Sequence, residues 1–140
     1  MQYKVPFVDI RQHYRNLKPE IDHAIQNVLA RGNIILRKDL SDFENSIARF
    51  VGTKYAIGVG NGFDALHLSV KAAGIGQGDE VITVAHTFVA TIAAIVHNGA
   101  TPILVDVQRD FTIDPNSFER AITKKTKAVI LVHLNGRLCE

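Results

Sequence analysis

The second half of the chain alternates short apolar runs with longer helical patterns, and this alternation restricts the fold more than any other feature. Four runs each predict a strand: YAIGV, VITV, PILVDV and KAVILV. A helical stretch separates each run from the next and no hairpin turn joins them, so the strands are expected to run parallel. The runs are apolar throughout, which is typical of strands covered on both faces. The sequence therefore predicts an α/β fold, with a mostly parallel sheet of four strands and helices packed on it.

Residues 1–52 show a different pattern and are predicted to form an arm and two helices ahead of the alternating part, 53–140. The segment VPFVDIRQHYRNL has no clear period and predicts an extended arm. A helix is expected from Lys18 to Arg31, because apolar residues recur there at helical spacing. Pro19 suits the first turn of that helix, where its missing N–H costs nothing. A glycine, Gly32, suits its end.

Two further helices can be placed by the residues at their starts. Ser41 and Glu44 have the spacing of a capping box, so the second helix is expected from about Ser41. Gly52 suits its end. Later in the chain, Asp114 and Pro115 predict another helix start, with the aspartate as N-cap and the proline in the first turn.

Composition excludes several classes of protein. The 140 residues are 46% hydrophobic and 21% charged, with 16 basic and 14 acidic side chains and a net charge of +2. These values are typical of a globular chain and give no basic footprint for nucleic acid. No segment approaches the length of a membrane span. The single cysteine, Cys139, can form no intramolecular disulfide and fits a reducing compartment. The chain is therefore expected to be cytoplasmic, without nucleic-acid or membrane partners.

Three glycines stand where the first predicted strand meets the next helix, in the stretch YAIGVGNGFDALHLSV. They are Gly58, Gly60 and Gly62. A strand, a glycine-rich loop and a helix start together form a ready anion site, because the free N–H groups of the first turn point out of the helix and its dipole favours negative charge. Glycines also suit an ordinary tight turn. The pattern favours a phosphate site and leaves a plain turn open.

Two common phosphate-binding loops do not fit this stretch. The pattern G-x-x-x-x-G-K-[ST] of nucleotide hydrolases is absent. A dinucleotide loop, G-x-G-x-x-G, would start at Gly58 and Gly60, but Phe63 stands at its third glycine. The run VITV continues into Ala85 and His86, where that loop's acidic partner is expected. A dinucleotide-dependent oxidoreductase is therefore disfavoured. No metal site is expected, because the histidines show neither H-x₃-H nor H-E-x-x-H spacing.

Several motifs occur in an order and spacing that are specific as a set: VPFVDI, IDHAI, NGFDALHL, GIGQGDEVITVAHTFVAT, GATPILVDV and AITKKTKAVILVHLNG. Together they resemble the DegT/DnrJ/StrS family of sugar aminotransferases, over essentially the whole chain. The resemblance implies the N-terminal part of the large domain of an aspartate-aminotransferase-type (fold type I) enzyme, with pyridoxal 5′-phosphate as cofactor. It also implies a homodimer that aminates a nucleotide-linked keto-sugar, with glutamate as donor, in polysaccharide or antibiotic sugar biosynthesis.

The resemblance implies roles for four residues of a cofactor site. Gly62, Phe63 and Asp64 match the loop whose backbone N–H groups hold the cofactor phosphate. Phe63 replaces a threonine that relatives often carry, so a side-chain contact to the phosphate is lost while the N–H donor remains. Phe88, in HTFVAT, matches the aromatic residue that stacks on the pyridine ring. By composition alone, Phe88 would be interpreted as part of the core.

Further residues match the family's site less directly. Thr87 and Thr91 are expected to line the pocket. The segment Arg31–Leu36 matches one that reaches the partner subunit's active site, although the two basic residues after it depart from the family pattern. His133 and Asn135 match a strand-end HLYG element, in which Asn135 replaces the tyrosine.

By the resemblance, no segment of this sequence matches those that carry two groups needed for transamination. A lysine must form the Schiff base and shuttle the proton, and an acidic residue must pair with the pyridine nitrogen. By the resemblance both are expected beyond Glu140, so no catalytic residue is assigned. No helix follows the fourth predicted strand to cover it. The chain is therefore expected to be an N-terminal portion that cannot complete the reaction alone. The alternative is a non-catalytic fragment of a truncated or split gene that binds phosphate or a partner chain.

Overall fold

The computed structural model describes residues 5–32 and 34–140. These residues divide into two compact units, with the boundary between Gly58 and Val59. Among the described residues, the first unit holds two helices, and the second holds three helices and a three-stranded sheet. The predicted division into 1–52 and 53–140 stays a prediction.

Helix α1 spans Ile10–Arg31, so the prediction of an extended arm up to Leu17 was wrong. The helix start is fixed by Asp9, whose side chain accepts a hydrogen bond from the Gln12 N–H at 2.8 Å. An aspartate at this position satisfies one of the N–H groups that a helix start leaves without a partner. The apolar residues of this stretch lack a helical period, and the cap is the local signal that the arm prediction overlooked.

Pro19 lies inside α1 rather than in its first turn. A proline there removes one backbone donor. Side chains on either side of the proline bridge the position. Lys18 Nζ pairs with Asp22 one turn away, and the Tyr14 hydroxyl donates to Asp22 Oδ1 at 2.9 Å across two turns. The hydrogen bond between them raises the pKa of Lys18 and lowers the pKa of Asp22. The predicted end of the helix is confirmed by Gly32, whose φ is 64°.

Helix α2 spans Lys38–Val51 and begins ahead of the predicted start at Ser41. The predicted capping box is wrong, because the Glu44 carboxylate bonds elsewhere. Its Oε1 accepts the Gly58 N–H at 2.7 Å. Gly52 ends the helix with a φ of 80°, as predicted.

The run YAIGV, residues 55–59, forms no strand, so the predicted four-stranded sheet has three strands. A strand exists only where a neighbour pairs with its backbone groups. Here the Gly58 N–H donates to a side chain instead, and Tyr55 and Ile57 are 72% and 81% exposed. Apolar character alone therefore predicted a strand for which the described part of the chain provides no pairing partner.

The sheet contains three parallel strands: β1 (Glu80–Val84), β2 (Thr101–Val105) and β3 (Thr126–Val129). Their order is β2–β1–β3, which places β1 in the middle. Ile82 faces Ile103 on one side and Val129 on the other. Residues Val81–Val84 are all buried, as predicted for a strand covered on both faces, whereas β2 and β3 are partly exposed.

The second unit also contains three helices: α3 (Gly62–Ala72), α4 (Val89–His97) and α5 (Pro115–Ala121). Helix α4 contacts β1 and β2, and α3 packs on α4. The buried core of this unit is made of Val70, Ile75, Val81, Ile95 and Ala100. Gly74 and Gly99 adopt left-handed φ values of 71° and 81° just after α3 and α4, as is common where helices end.

Between β2 and α5 the chain folds back on itself. Val107 and Ile113 form an isolated antiparallel bridge, which the sequence pattern did not predict. Phe111, in the turn between them, has a φ of 70°. Asp114 then caps α5 with its side chain, and Pro115 occupies the first turn, as predicted.

Candidate functional site

Asn61 is the N-cap of helix α3, and its Oδ1 accepts the Asp64 N–H at 3.0 Å. The Asn61 Nδ2 donates in turn to Asp64 Oδ2 at 3.2 Å. This N-cap was not predicted, although an asparagine directly before a helical pattern is a known start signal. The Asp64 N–H is thus engaged within the chain, and its role as a phosphate donor stays a prediction.

Gly62 and Phe63 are the first two residues of α3, and their N–H groups have no acceptor among the described residues. A helix start leaves such groups unpaired, because no carbonyl lies one turn before them. The positive end of the helix dipole lies at the same point and stabilises a nearby anion by about 0.3–1 kcal/mol at exposed sites. The loop can therefore offer two N–H donors to one phosphate group.

The three glycines of the loop serve different purposes. A Cβ on Gly58 would lie 2.7 Å from Leu40 Cδ1, and one on Gly60 would lie 2.6 Å from Asp64 Oδ2. Both separations are shorter than real Cβ contacts, so a side chain at either position would displace the end of a flexible side chain of the same chain. A Cβ on Gly62 would meet no atom within 4 Å. Of the three glycines, only Gly62 leaves open space beside a free N–H group.

A cavity of about 390 Å³ lies at this loop, where α3 and α4 both begin. Its lining is mainly apolar and consists of Asn61, Gly62, Phe63, Leu66, Phe88, Ala90 and Thr91. Phe88 directly precedes α4 and is 76% exposed, so it does not belong to the core. An exposed aromatic ring beside two helix starts is suited to stack on a flat ligand ring.

The Phe63 side chain is held by two histidines. Its ring stacks on the His67 ring with 5.8 Å between centroids, and it meets the His97 ring edge-on at 5.4 Å. Asn98 Nδ2 donates to the His67 carbonyl at 3.0 Å and lies 3.0 Å from His67 Nδ1. Positions 63 and 67 are one helical turn apart, so their contact follows from spacing, whereas the contact with His97 requires α3 to pack on α4. The Phe63 ring therefore has two aromatic contacts within the chain, His67 on α3 and His97 on α4.

The other residues matched to the family's pocket divide into two groups. Thr91 lines the cavity, and its hydroxyl shares a 2.9 Å hydrogen bond with the Thr87 hydroxyl. His133 and Asn135 do not line it. His133 Nδ1 accepts the Cys139 N–H at 3.1 Å, and Asn135 has a φ of 54° in a short 3₁₀ turn.

The segment Arg31–Leu36, matched to one that reaches a partner subunit, contains Asn33, which lies outside the described residues. Ile35 and Leu36 are 74% and 80% exposed. The contact of this segment with a partner stays a prediction.

Within residues 5–32 and 34–140, no three metal-ligating side chains come together. In that same part of the chain, no helix combines the length and the apolar character that a membrane crossing needs.

Known proteins resemble the chain in sequence and in structure. The dTDP-3-amino-3,6-dideoxy-α-D-galactopyranose transaminase of Aneurinibacillus thermoaerophilus is 46% identical over 137 residues, which is 97% of this chain and 38% of that protein. The structure of S. venezuelae DesV in complex with a ketimine intermediate has a TM-score of 0.94 at 41% identity, over 99% of this chain and 38% of that one. Bacillus subtilis NtdA with bound cofactor PMP has a TM-score of 0.88 at 34% identity, over 96% and 31%.

The chain thus spans less than two fifths of the length of these relatives, which are matched at 38%, 38% and 31% of their own lengths. The structural similarity confirms the predicted α/β fold class. The sequence profile of one family, described as the DegT/DnrJ/EryC1/StrS aminotransferase family, matches residues 15–140. With a match of this extent and relatives of this identity, the chain belongs to the DegT/DnrJ/EryC1/StrS aminotransferase family.

Proposed function

We propose that the chain provides the phosphate- and ring-binding part of a pyridoxal 5′-phosphate-dependent aminotransferase that acts on a nucleotide-linked keto-sugar. The observation that carries the proposal is the pair of free N–H groups at Gly62 and Phe63, beside a cavity that Phe88 also lines. The name of the dTDP-sugar transaminase supports the substrate class. The cofactor bound to NtdA supports the cofactor class.

The donors at the start of α3 suit a phosphate ester. Gly62 and Phe63 would donate to phosphate oxygens, and the open space at Gly62 allows a close approach. The Asp64 carboxylate opposes phosphate binding, because it carries a charge of the same sign near the same helix start. The Asn61 amide, 3.2 Å from Asp64 Oδ2, donates to that carboxylate and partly offsets its charge. We therefore assign the phosphate to the two N–H groups and not to the Asp64 side chain.

The other end of the cavity suits a flat ring. Phe88 would stack on the pyridine ring, which contributes about 0.5–1.5 kcal/mol beyond burial. Leu66 and Ala90 would keep water from the apolar side of the ring. When bound, pyridoxal phosphate supplies the electron sink that aminotransfer needs. The described residues bind and orient it.

Proton transfer is assigned to other residues. None of the side chains that line the cavity is a lysine. We therefore place the lysine that holds the cofactor, and the acidic partner of the pyridine nitrogen, in segments other than those that line this cavity. Glutamate as amino donor, a homodimer as the assembly and the cytoplasm as the location belong to the same proposal, and the family resemblance supports them.

The proposal can be tested by removing one donor without disturbing the helix. Gly62 is the first helical residue, where proline is well tolerated and breaks no intrahelical bond. Asn61 before it is extended, with φ −167° and ψ 178°, and residues before proline favour extended backbone. We expect Gly62→Pro to weaken the binding of pyridoxamine 5′-phosphate and of inorganic phosphate by about tenfold or more.

Gly62→Ala is the matched control, because it keeps the N–H group and its Cβ meets no atom within 4 Å. Binding is measured by isothermal titration calorimetry, and thermal unfolding verifies that both variants fold. Equal affinities of the two variants would contradict the proposal. So would the absence of saturable pyridoxamine phosphate binding by the unaltered chain.

A further inference from the structure

Phe111 has an unusual backbone conformation and an aromatic partner. Its φ of 70° lies in the left-handed region, which bulky residues rarely adopt. Its ring meets the His86 ring edge-on, with 5.4 Å between centroids and an interplanar angle of 82°. A residue stays in so disfavoured a conformation only when its surroundings hold it there.

Hydrogen bonds hold the turn that contains Phe111. The Phe111 N–H donates to the Gln108 carbonyl at 3.0 Å, and the Gln108 N–H donates to the Thr112 carbonyl at 2.8 Å. Asp110 Oδ1 accepts the Thr112 hydroxyl at 2.8 Å and the Thr112 N–H at 3.1 Å. Arg137 Nε lies 3.3 Å from Asp110 Oδ2, and Thr112 is buried. The turn therefore fixes the point from which the Phe111 ring contacts His86.

His86 lies in the loop between β1 and α4, two residues before Phe88. The α4 end of this loop is fixed by the 2.9 Å hydrogen bond between the Thr87 and Thr91 hydroxyls. The His86 ring itself is exposed, and Phe111 is its aromatic contact in the described part of the chain. Because only one residue separates His86 from Phe88, a displacement of His86 would also displace Phe88.

We propose that Phe111 is a positioning residue for the cofactor site, because its edge contact with His86 orients the loop that carries Phe88. The inference rests on the proposed function, which assigns the stacking role to Phe88. Neither Phe111 nor His86 lines the cavity, so Phe111 acts through the loop and not by touching the ligand. The ring end of a bound ligand would depend on Phe111, whereas the phosphate end, held at Gly62, would not.

The test compares two probes on the full chain. Phe111→Asn removes the ring with a residue that tolerates a left-handed φ, so the turn keeps its conformation. We expect the dissociation constant of pyridoxamine 5′-phosphate to rise by about three- to tenfold, which is the factor that a lost aromatic stack gives. The dissociation constant of inorganic phosphate is expected to stay unchanged. Phe111→Tyr, which keeps the ring, is expected to bind both probes as the unaltered chain does.

A second variant tests the route through the loop. His86→Ala is expected to cause the same selective loss, and the double variant no further loss, because both changes break one contact. Ile122→Ala, at an exposed apolar residue outside the cavity, is the control and is expected to change neither constant.

An equal change in both dissociation constants, or no change in either, would overturn the role of Phe111. Independent, additive losses from the two variants would overturn it as well. If the unaltered chain binds neither probe, the proposed function itself fails, and that outcome is distinct from the others.

Discussion

The Asn61 side chain and the Asp64 N–H form a 3.0 Å hydrogen bond at the start of α3, where the candidate phosphate site also lies. The bond occupies one of the three N–H groups that the family resemblance assigns to the phosphate. Two donors remain, at Gly62 and Phe63. Helix capping and anion binding therefore use the same few backbone N–H groups at the start of α3.

The cap predicts a stability effect at Asn61. Asn61→Ala is expected to lower the free energy of unfolding by about 1 kcal/mol, because the Asp64 N–H loses its acceptor. Asn61→Ser restores an acceptor and is expected to recover most of this loss. Urea unfolding followed by circular dichroism measures both variants. Equal stabilities of the alanine and serine variants would show that the cap does not stabilise the helix.

The conformation of Phe111 predicts a ranking of substitutions. Phe111→Asn and Phe111→Val both remove the ring, but valine is β-branched and is strained at a φ of 70°. The valine variant is expected to be less stable than the asparagine variant by about 1–2 kcal/mol. Both variants lose the contact with His86. The difference between their unfolding free energies therefore measures the strain of the backbone at position 111. Equal stabilities would mean that the turn relaxes away from the left-handed region.

Ile95 predicts the cost of a cavity in the core. It is fully buried on α4 and packs against the core of the second unit. Ile95→Ala is expected to lower the free energy of unfolding by about 2–5 kcal/mol. The adjacent Val96 is 51% exposed, so Val96→Ala provides a control on the same helix with an expected change below about 0.5 kcal/mol. Similar losses at both positions would contradict the burial of Ile95.

Asp114 predicts a dependence of stability on pH. The Ser117 hydroxyl donates to its carboxylate at 2.6 Å and, with the Asn116 and Ser117 N–H groups, holds the pKa of Asp114 below its ordinary value of 3.8. A carboxyl with a lowered pKa in the folded state adds stability above its unfolded pKa. That contribution is lost as the pH falls through the folded pKa.

The matched variant is Asp114→Asn, which keeps one of the two accepting oxygens and does not ionise. Its unfolding midpoint is expected to lie below that of the unaltered chain at pH 7, and the gap is expected to close as the pH falls below 3.8. Midpoints of thermal unfolding between pH 7 and pH 3 measure the gap. A gap that does not vary with pH would exclude a contribution from the Asp114 charge.

Sequence patterns predicted the parts of the fold that local signals define. Asp114 and Pro115 marked the start of α5 correctly, because both act on the residues next to them. Glu44 was assigned to a cap by its spacing from Ser41, but its actual partner is the N–H of Gly58, fourteen positions away. Similarly, the run YAIGV has strand character, but no strand pairs with it among the described residues. Contacts that depend on distant residues are not visible in local spacing.

In the candidate site, too, local features were predicted and contacts that depend on side-chain placement were not. The position of Gly62 at a helix start followed from the pattern, and the structure agrees with it. The use of Gly58 and Gly60 did not follow, because it depends on where Leu40 and Asp64 place their side chains. The pattern of three glycines did not show that open space lies beside Gly62 alone, while the other two lie close to side chains of the same chain.

The strand order β2–β1–β3 places the earliest strand of the sheet at its centre. Glu80 pairs with Thr101 on one side and with Thr126 on the other. During synthesis on the ribosome, one edge of β1 can pair once β2 has emerged, but the other edge stays open until β3 follows. The apolar residues Val81–Val84 are therefore paired on one edge only while α5 is being synthesised. An unpaired apolar edge of this kind favours association with other chains during that interval.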